Sequence, residues 1–160
     1  MKKYFLLVLL TFIAGCSSQN GVANNQLEEL RGVANNGDVR AQSQMGDAHL
    51  FGEFDLPVDY KEAFIWYSRA ATQGDAKSQY NLAIMYLNGY GIEKDLVKAV
   101  KSYRKAAEQG DSDSQLQLGI RYLQGEGVKT DLKIAEFWFR KATENGNTEA
   151  IEYIKEIKNR

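Results

Sequence analysis

The chain is poor in the residues from which most active sites are built. Its 160 residues hold one cysteine (Cys16), one histidine (His49) and one proline (Pro57). One cysteine excludes an intrachain disulfide, and a zinc centre normally draws on several Cys or His ligands. A Cys–His nucleophile pair would have to join Cys16 to His49, and a Ser-His-Asp triad would have to be built around His49. No catalytic residue, metal site or cofactor is therefore expected. Neither sign of charge dominates, with 20 Lys and Arg against 21 Asp and Glu. That balance carries no electrostatic footprint for nucleic acid. The apolar run Tyr4–Ile13 is too short for a comfortable membrane-spanning helix. The scarcity of proline suits long helices, because proline breaks a helix interior.

Aromatic residues are plentiful: 9 Tyr, 7 Phe and 2 Trp. Ala, Leu, Lys and Glu, all good helix formers, are abundant. The length suffices for one domain with a real core.

The opening "MKKYFLLVLLTFIAGC" has a basic start at Lys2 and Lys3, an apolar stretch, and the small pair Ala14-Gly15. That is the pattern of a signal peptide over residues 1–15. "IAGC" resembles the bacterial lipobox, which implies cleavage before Cys16 and lipidation of its thiol. Ordinary secretion with cleavage nearby is the alternative. Several acyl chains anchor a protein firmly. Ser17, not Asp, follows the cysteine, and in lipoproteins of Gram-negative bacteria this implies the outer membrane. The expected location is its periplasmic face, with the lipid as the only membrane contact. Residues 16–25 read as the lipidated Cys followed by a small, polar, flexible tether. Such a coil reaches roughly 15–18 Å, so the domain at 26–160 should hang close to its membrane.

"LNGYGIEKD", residues 87–95, looks at first like a phosphate cradle. Its sibling "LQGEGVKTD" lies 36 residues later. A phosphate loop needs a strand before it, and no strand pattern is present. The recurrence belongs to a longer repeat. "GDVRAQSQMGDAHLFG" begins at Gly37, "GDAKSQYNLAIMYLNG" at Gly74, "GDSDSQLQLGIRYLQG" at Gly110 and "GNTEAIEYIKEI" at Gly146. Fixed periods of this length signal a solenoid. Each unit reads as two helices, A near 38–50, 75–87 and 111–123, and B near 60–72, 96–108 and 132–144. Asp59, Asp95 and Asp131 stand where N-caps belong. The glycines after each helix B stand where left-handed C-caps belong. The paired glycines between A and B serve a tight turn that lets neighbouring repeats stack.

"SQLQLGIRYLQGEGVKTDLKIAEFWFRKATENG", residues 114–146, resembles the Sel1-like repeat, a relative of the tetratricopeptide repeat. The resemblance spans about residues 30–150. It implies an all-α fold, an α/α superhelical solenoid that binds other proteins, with no catalytic set common to the family. About three full repeats are expected, at 37–73, 74–109 and 110–145. An N-terminal half-unit, "QLEELRGVANNG", precedes them, and a capping helix at 146–158 follows. Departures are visible. Repeat one reads "FGEFDLPVD", one residue longer and without the second glycine. His49 takes the place of Tyr86 and Tyr122. Ser102 takes the place of Trp66 and Trp138. Some relatives carry a disulfide in each repeat, which this chain lacks the cysteines to form.

On a helical wheel one side of helix A carries Ala41, Met45, Gly46 and His49, and is core; that register argues against His49 as a general base. The opposite side carries Ser43, Asp47 and Phe51, then Tyr80, Ile84 and Asn88, then Leu116, Ile120 and Gln124. In tetratricopeptide-like folds helix A lines the concave face. A strip of Phe51, Tyr80, Ile84, Leu116 and Ile120 there would be a protein-binding groove; the alternative is that some of them pack against neighbouring helices. The helix B stripe Trp66, Tyr67, Trp138 and Phe139 reads as packing. The expected function is a membrane-tethered periplasmic module that binds a protein partner. A second reading is an immunity protein, because small Sel1-like lipoproteins resemble those paired with phospholipases and other envelope effectors of type VI secretion. A third, a hydrolase such as the β-lactamase proposed for cysteine-rich relatives, finds no convergent polar constellation here.

Overall fold

The recurring aspartates become helix starts in the computed structural model, which describes residue 22 and residues 24–159. Helix α1 covers 24–35. Six 13-residue helices follow: α2 (Val39–Phe51), α3 (Tyr60–Thr72), α4 (Ala76–Asn88), α5 (Leu96–Glu108), α6 (Ser112–Gln124) and α7 (Leu132–Glu144). A shorter α8 spans Ala150–Lys158. No strand occurs among the described residues. The expected all-α solenoid is the observed architecture, with α2–α3, α4–α5 and α6–α7 as its three A–B pairs and each pair packed on the next.

The B helices occupy the expected bounds. The A helices start one residue later than expected, because Asp38, Asp75 and Asp111 are themselves caps. Their carboxylates accept from the backbone N–H of Ala41, Ser78 and Ser114. Asp59 accepts from Lys61 and Glu62, Asp95 from Lys98, and Asp131 from Ile134. Each cap satisfies donors that the first helical turn leaves open. The Lys98 N–H is also the main reason the Asp95 carboxyl is held below its usual value.

The A–B turns show why glycine recurs there. Gly91 and Gly127 lie at φ +69° and +72°, and a Cβ on either would collide with the carbonyl of Tyr60 or Leu96, the first residue of the preceding helix B. The turn therefore leans on the previous repeat at a spot where only a bare backbone fits. Repeat one solves the turn differently. Its longer loop forms a 3-10 turn (Glu53–Asp55) with Phe54 and Asp55 at φ 55° and 60°, and Phe54 and Leu56 tuck against the cluster of Leu27, Ala34, Ala41, Met45 and Trp66.

Between the helices runs a buried glutamine ladder. The Nε2 groups of Gln42, Gln79 and Gln115 donate to the carbonyls of Ala34, Ala71 and Ala107, at the end of the preceding helix B or α1, at 2.9–3.2 Å. Their Oε1 atoms accept from Gln73, Gln109 and Asn145, at the end of their own helix B, at 2.7–2.9 Å. Each amide thus ties three helices together. Buried polar groups satisfied in this way specify geometry, whereas unsatisfied ones are costly.

Two expected boundaries shift. The tether placed at 16–25 overlaps helix at residues 22, 24 and 25, so the helical half-unit begins earlier than expected. The capping helix placed at 146–158 begins only at Ala150. Asn147 stands where an aspartate caps the other A helices, but its side-chain amide donates to Asp113 instead and α8 has no side-chain cap. The signal peptide, Cys16 and most of the tether lie outside the described residues. Among the described residues no helix is long and apolar enough to cross a membrane.

Candidate protein-binding surface

The proposed strip divides along the solenoid instead of running as one exposed band. Phe51, at the end of α2, is 68% exposed. Tyr80 and Ile84 on α4 are half-buried, and the Tyr80 ring meets Tyr103 edge-on at 5.8 Å. Leu116 and Ile120 on α6 are buried, which corrects their assignment to an open groove. They belong to a cluster that receives Tyr80 and Ile84 from the repeat before and Tyr153, Ile154 and Ile157 from α8 after it. The cluster closes from both sides, with α8 itself packed on α7.

The polar positions of the strip on α2 differ: the Ser43 hydroxyl is buried without a partner, and Asp47 is internally satisfied. Asp47 accepts from the Tyr67 hydroxyl at 2.7 Å and from Lys77 Nζ at 2.6 Å. Burial, and then the bond to Asp47, push the Tyr67 hydroxyl far above its ordinary value. Tyr80 is raised as well, first by burial and then by the charges of Asp113 and Asp111. Tyr67 packs over Gly46, where a Cβ would come within 2.5 Å of its ring. Gly119 does the same under Phe139.

His49 is half-buried, and its Nδ1 has no hydrogen-bond partner. Its carbonyl accepts from the N–H of Asp59, as those of Tyr86 and Tyr122 accept from Asp95 and Asp131. The residue serves the A–B turn, in keeping with the core register read from the sequence. Among the described residues no group of three or more His, Cys, Asp and Glu is placed to hold a metal ion. Trp66, Tyr67 and Phe139 are buried, as a packing stripe requires, and Trp138 is half-buried.

Sequence reading missed exposed apolar side chains on helix B. Phe137 is 51% exposed and Val97 66%. A signal was present for Phe137, because its position is held by Lys101 in the repeat before, which marks a solvent-facing site. The glutamine ladder was missed because an isolated Gln reads as surface.

Paired helices, stacked unit on unit, with caps and turn glycines repeating, define an α/α repeat solenoid, an architecture of protein-interaction scaffolds. The Sel1 repeat family matches residues 39–75, 76–111 and 112–147, and the chain belongs to it. Among solved structures, a protective antigen of uropathogenic Escherichia coli with an SLR fold superposes with a TM-score of 0.75 at 38% identity, over 78% of this chain and 26% of that one. A Sel1 repeat protein from Oxalobacter formigenes gives 0.72 at 37% identity, over 74% of this chain and 49% of its own. Cysteine rich protein B of Helicobacter pylori gives 0.63 at 27% identity, over 78% of this chain and 94% of that one. The human protein sel-1 homolog 2 is 39% identical over 61 residues, 38% of this chain and 9% of the human protein. The chain thus spans a minor part of the length of several relatives that it matches.

Proposed function

We propose that this chain is a non-catalytic protein-interaction module tethered to a membrane through Cys16. The observation that carries the first half is the continuous three-repeat solenoid, because stacked helix pairs offer extended surfaces for a polypeptide partner. The N-terminal part of the helix A strip is the contact region: Phe51 is largely exposed, and Tyr80 and Ile84 in the next repeat are half-buried. The tether reading rests on the lipobox-like "IAGC" and places the module at the periplasmic face of the outer membrane.

The test uses the full chain as bait in envelope extract, followed by re-binding of each captured protein in purified form. A protein that re-binds at micromolar concentration or tighter is the expected result; no re-binding protein overturns the module. The immunity reading makes a sharper demand, since its partner is an envelope-targeting enzyme, a phospholipase or similar, whose activity falls on binding. A Cys16→Ser variant tests the tether and is expected to leave the membrane pellet. Sedimentation with membranes after a salt wash would overturn the anchor.

A further inference from the structure

The tryptophan place of helix B is filled in repeats one and three and vacant in repeat two. Trp66 is buried against Ala34 and Met45, with the Arg69 guanidinium 4.5 Å over its ring. In the next repeat Ser102 takes the place of Trp66, while the matching neighbours remain: Ala71 for Ala34, Leu82 for Met45, Lys105 for Arg69. They line an open slot of about 210 Å³ together with Gln79 and Tyr86. We propose that this slot receives the indole side chain of a tryptophan presented by the partner polypeptide. The inference rests on the protein-interaction reading and names the chemistry that the partner brings.

Four features fit an aromatic ring. The slot is large enough, since a protein cavity of about 150 Å³ already holds benzene. Its walls include the Leu82 and Ala71 side chains and the Tyr86 ring, which Phe64 holds edge-on at 5.4 Å. Its glutamine is already spent, because Gln79 donates to Ala71 and accepts from Gln109, so it asks nothing of a ligand. Lys105, exposed at the rim, holds the place from which Arg69 covers Trp66 and offers a cation to the ring face. The sister slot shows what this shape encloses, an indole under a cation. Buried aromatic anchors of this kind carry much of the energy of protein interfaces.

N-acetyl-tryptophanamide titrated into the isotope-labelled full chain is the direct probe. Saturable amide shifts at Ala71, Leu82 and Ser102 are expected, with none from N-acetyl-alaninamide. Ser102→Trp fills the slot from within; it should melt higher than the wild type and lose the shifts. Lys105→Ala changes an exposed side chain and should weaken the probe about two- to fivefold. Absence of saturable shifts, or equal shifts in Ser102→Trp, overturns the slot. Should Ser102→Trp fail to fold, an unchanged affinity in Lys105→Ala overturns it. A partner that binds Ser102→Trp as tightly as the wild type leaves the interaction module standing and removes the slot as its docking point.

Discussion

Helices α2 and α6 are the same helix in two settings. Ser43 and Asp47 on the first correspond to Leu116 and Ile120 on the second, and the helix B partner changes in step, from Tyr67 to Phe139. At the N-terminal end the carboxylate of Asp47 takes a phenol hydroxyl and an ammonium. At the C-terminal end an isoleucine, a leucine and a ring without a hydroxyl share one apolar cluster with side chains of α8, where Tyr153 stacks on Phe139 at 4.9 Å. One repeat position is therefore a polar network at one end and core at the other. A strip read from matching positions describes the solenoid's interior and its surface at once, and only the neighbours decide which is which.

Breaking the apolar end should cost most. Ile120→Asp places an unpaired charge in the core and is expected to lose about 3–5 kcal/mol in urea unfolding. Asp47→Asn keeps shape and some hydrogen bonding at the polar end, and should lose about 1–3 kcal/mol at most. Equal losses would erase the contrast between the ends.

The middle repeat joins both ends and tolerates little. Ala99 and Ala106 are fully buried on α5. Changing each to Leu should cost about 1–3 kcal/mol by overpacking, seen as a clear fall in melting temperature. An unchanged melt would reverse the faces assigned to helix B.

These two predictions also mark what was legible in the sequence. Helix B bounds and faces were readable because aspartate caps, glycine stops and buried alanines repeat at fixed spacing, and each has a local cause. The burial of Leu116 and Ile120 was not, because it depends on how side chains of the repeat before and of the expected capping helix close over them, which helical register alone does not give. The vacancy at Ser102 was visible as a substitution, but a substitution alone does not show whether the neighbours close over it. The glutamine ladder needs three helices in place before any one Gln has a reason to be buried.

Alkaline pH should separate the ends more gently. The Tyr67 hydroxyl ionises in the unfolded chain near 10.0 and far higher in the folded one, because burial disfavours the phenolate. A folded pKa raised in this way contributes stability that is present below the unfolded value and is lost as pH climbs through the folded one. Burial raises Tyr103 in the same direction. The urea midpoint should therefore fall above about pH 10, and Tyr67→Phe with Tyr103→Phe should flatten that fall. Phe139, which already lacks the hydroxyl, contributes nothing to it.

The smallest effect concerns Ser78 and Ser114. Both hydroxyls are buried without a partner, at the position that Ala41 fills in repeat one. Ser→Ala at each should leave stability unchanged or raise it by up to about 1 kcal/mol. A loss at either site would mean that the hydroxyl has work that the repeat one alanine does without.

The division of the strip into a presented end and a sealed end is tested most directly by measuring partner affinity and melting temperature together in Phe51→Asp. Phe51 is 68% exposed, so its replacement should leave the melt within a degree or two of the wild type. Partner affinity should fall by about thirtyfold or more, as loss of an aromatic anchor predicts. A variant that keeps its melt and binds the partner with wild-type affinity would contradict the assignment of the contact region to the N-terminal part of the helix A strip.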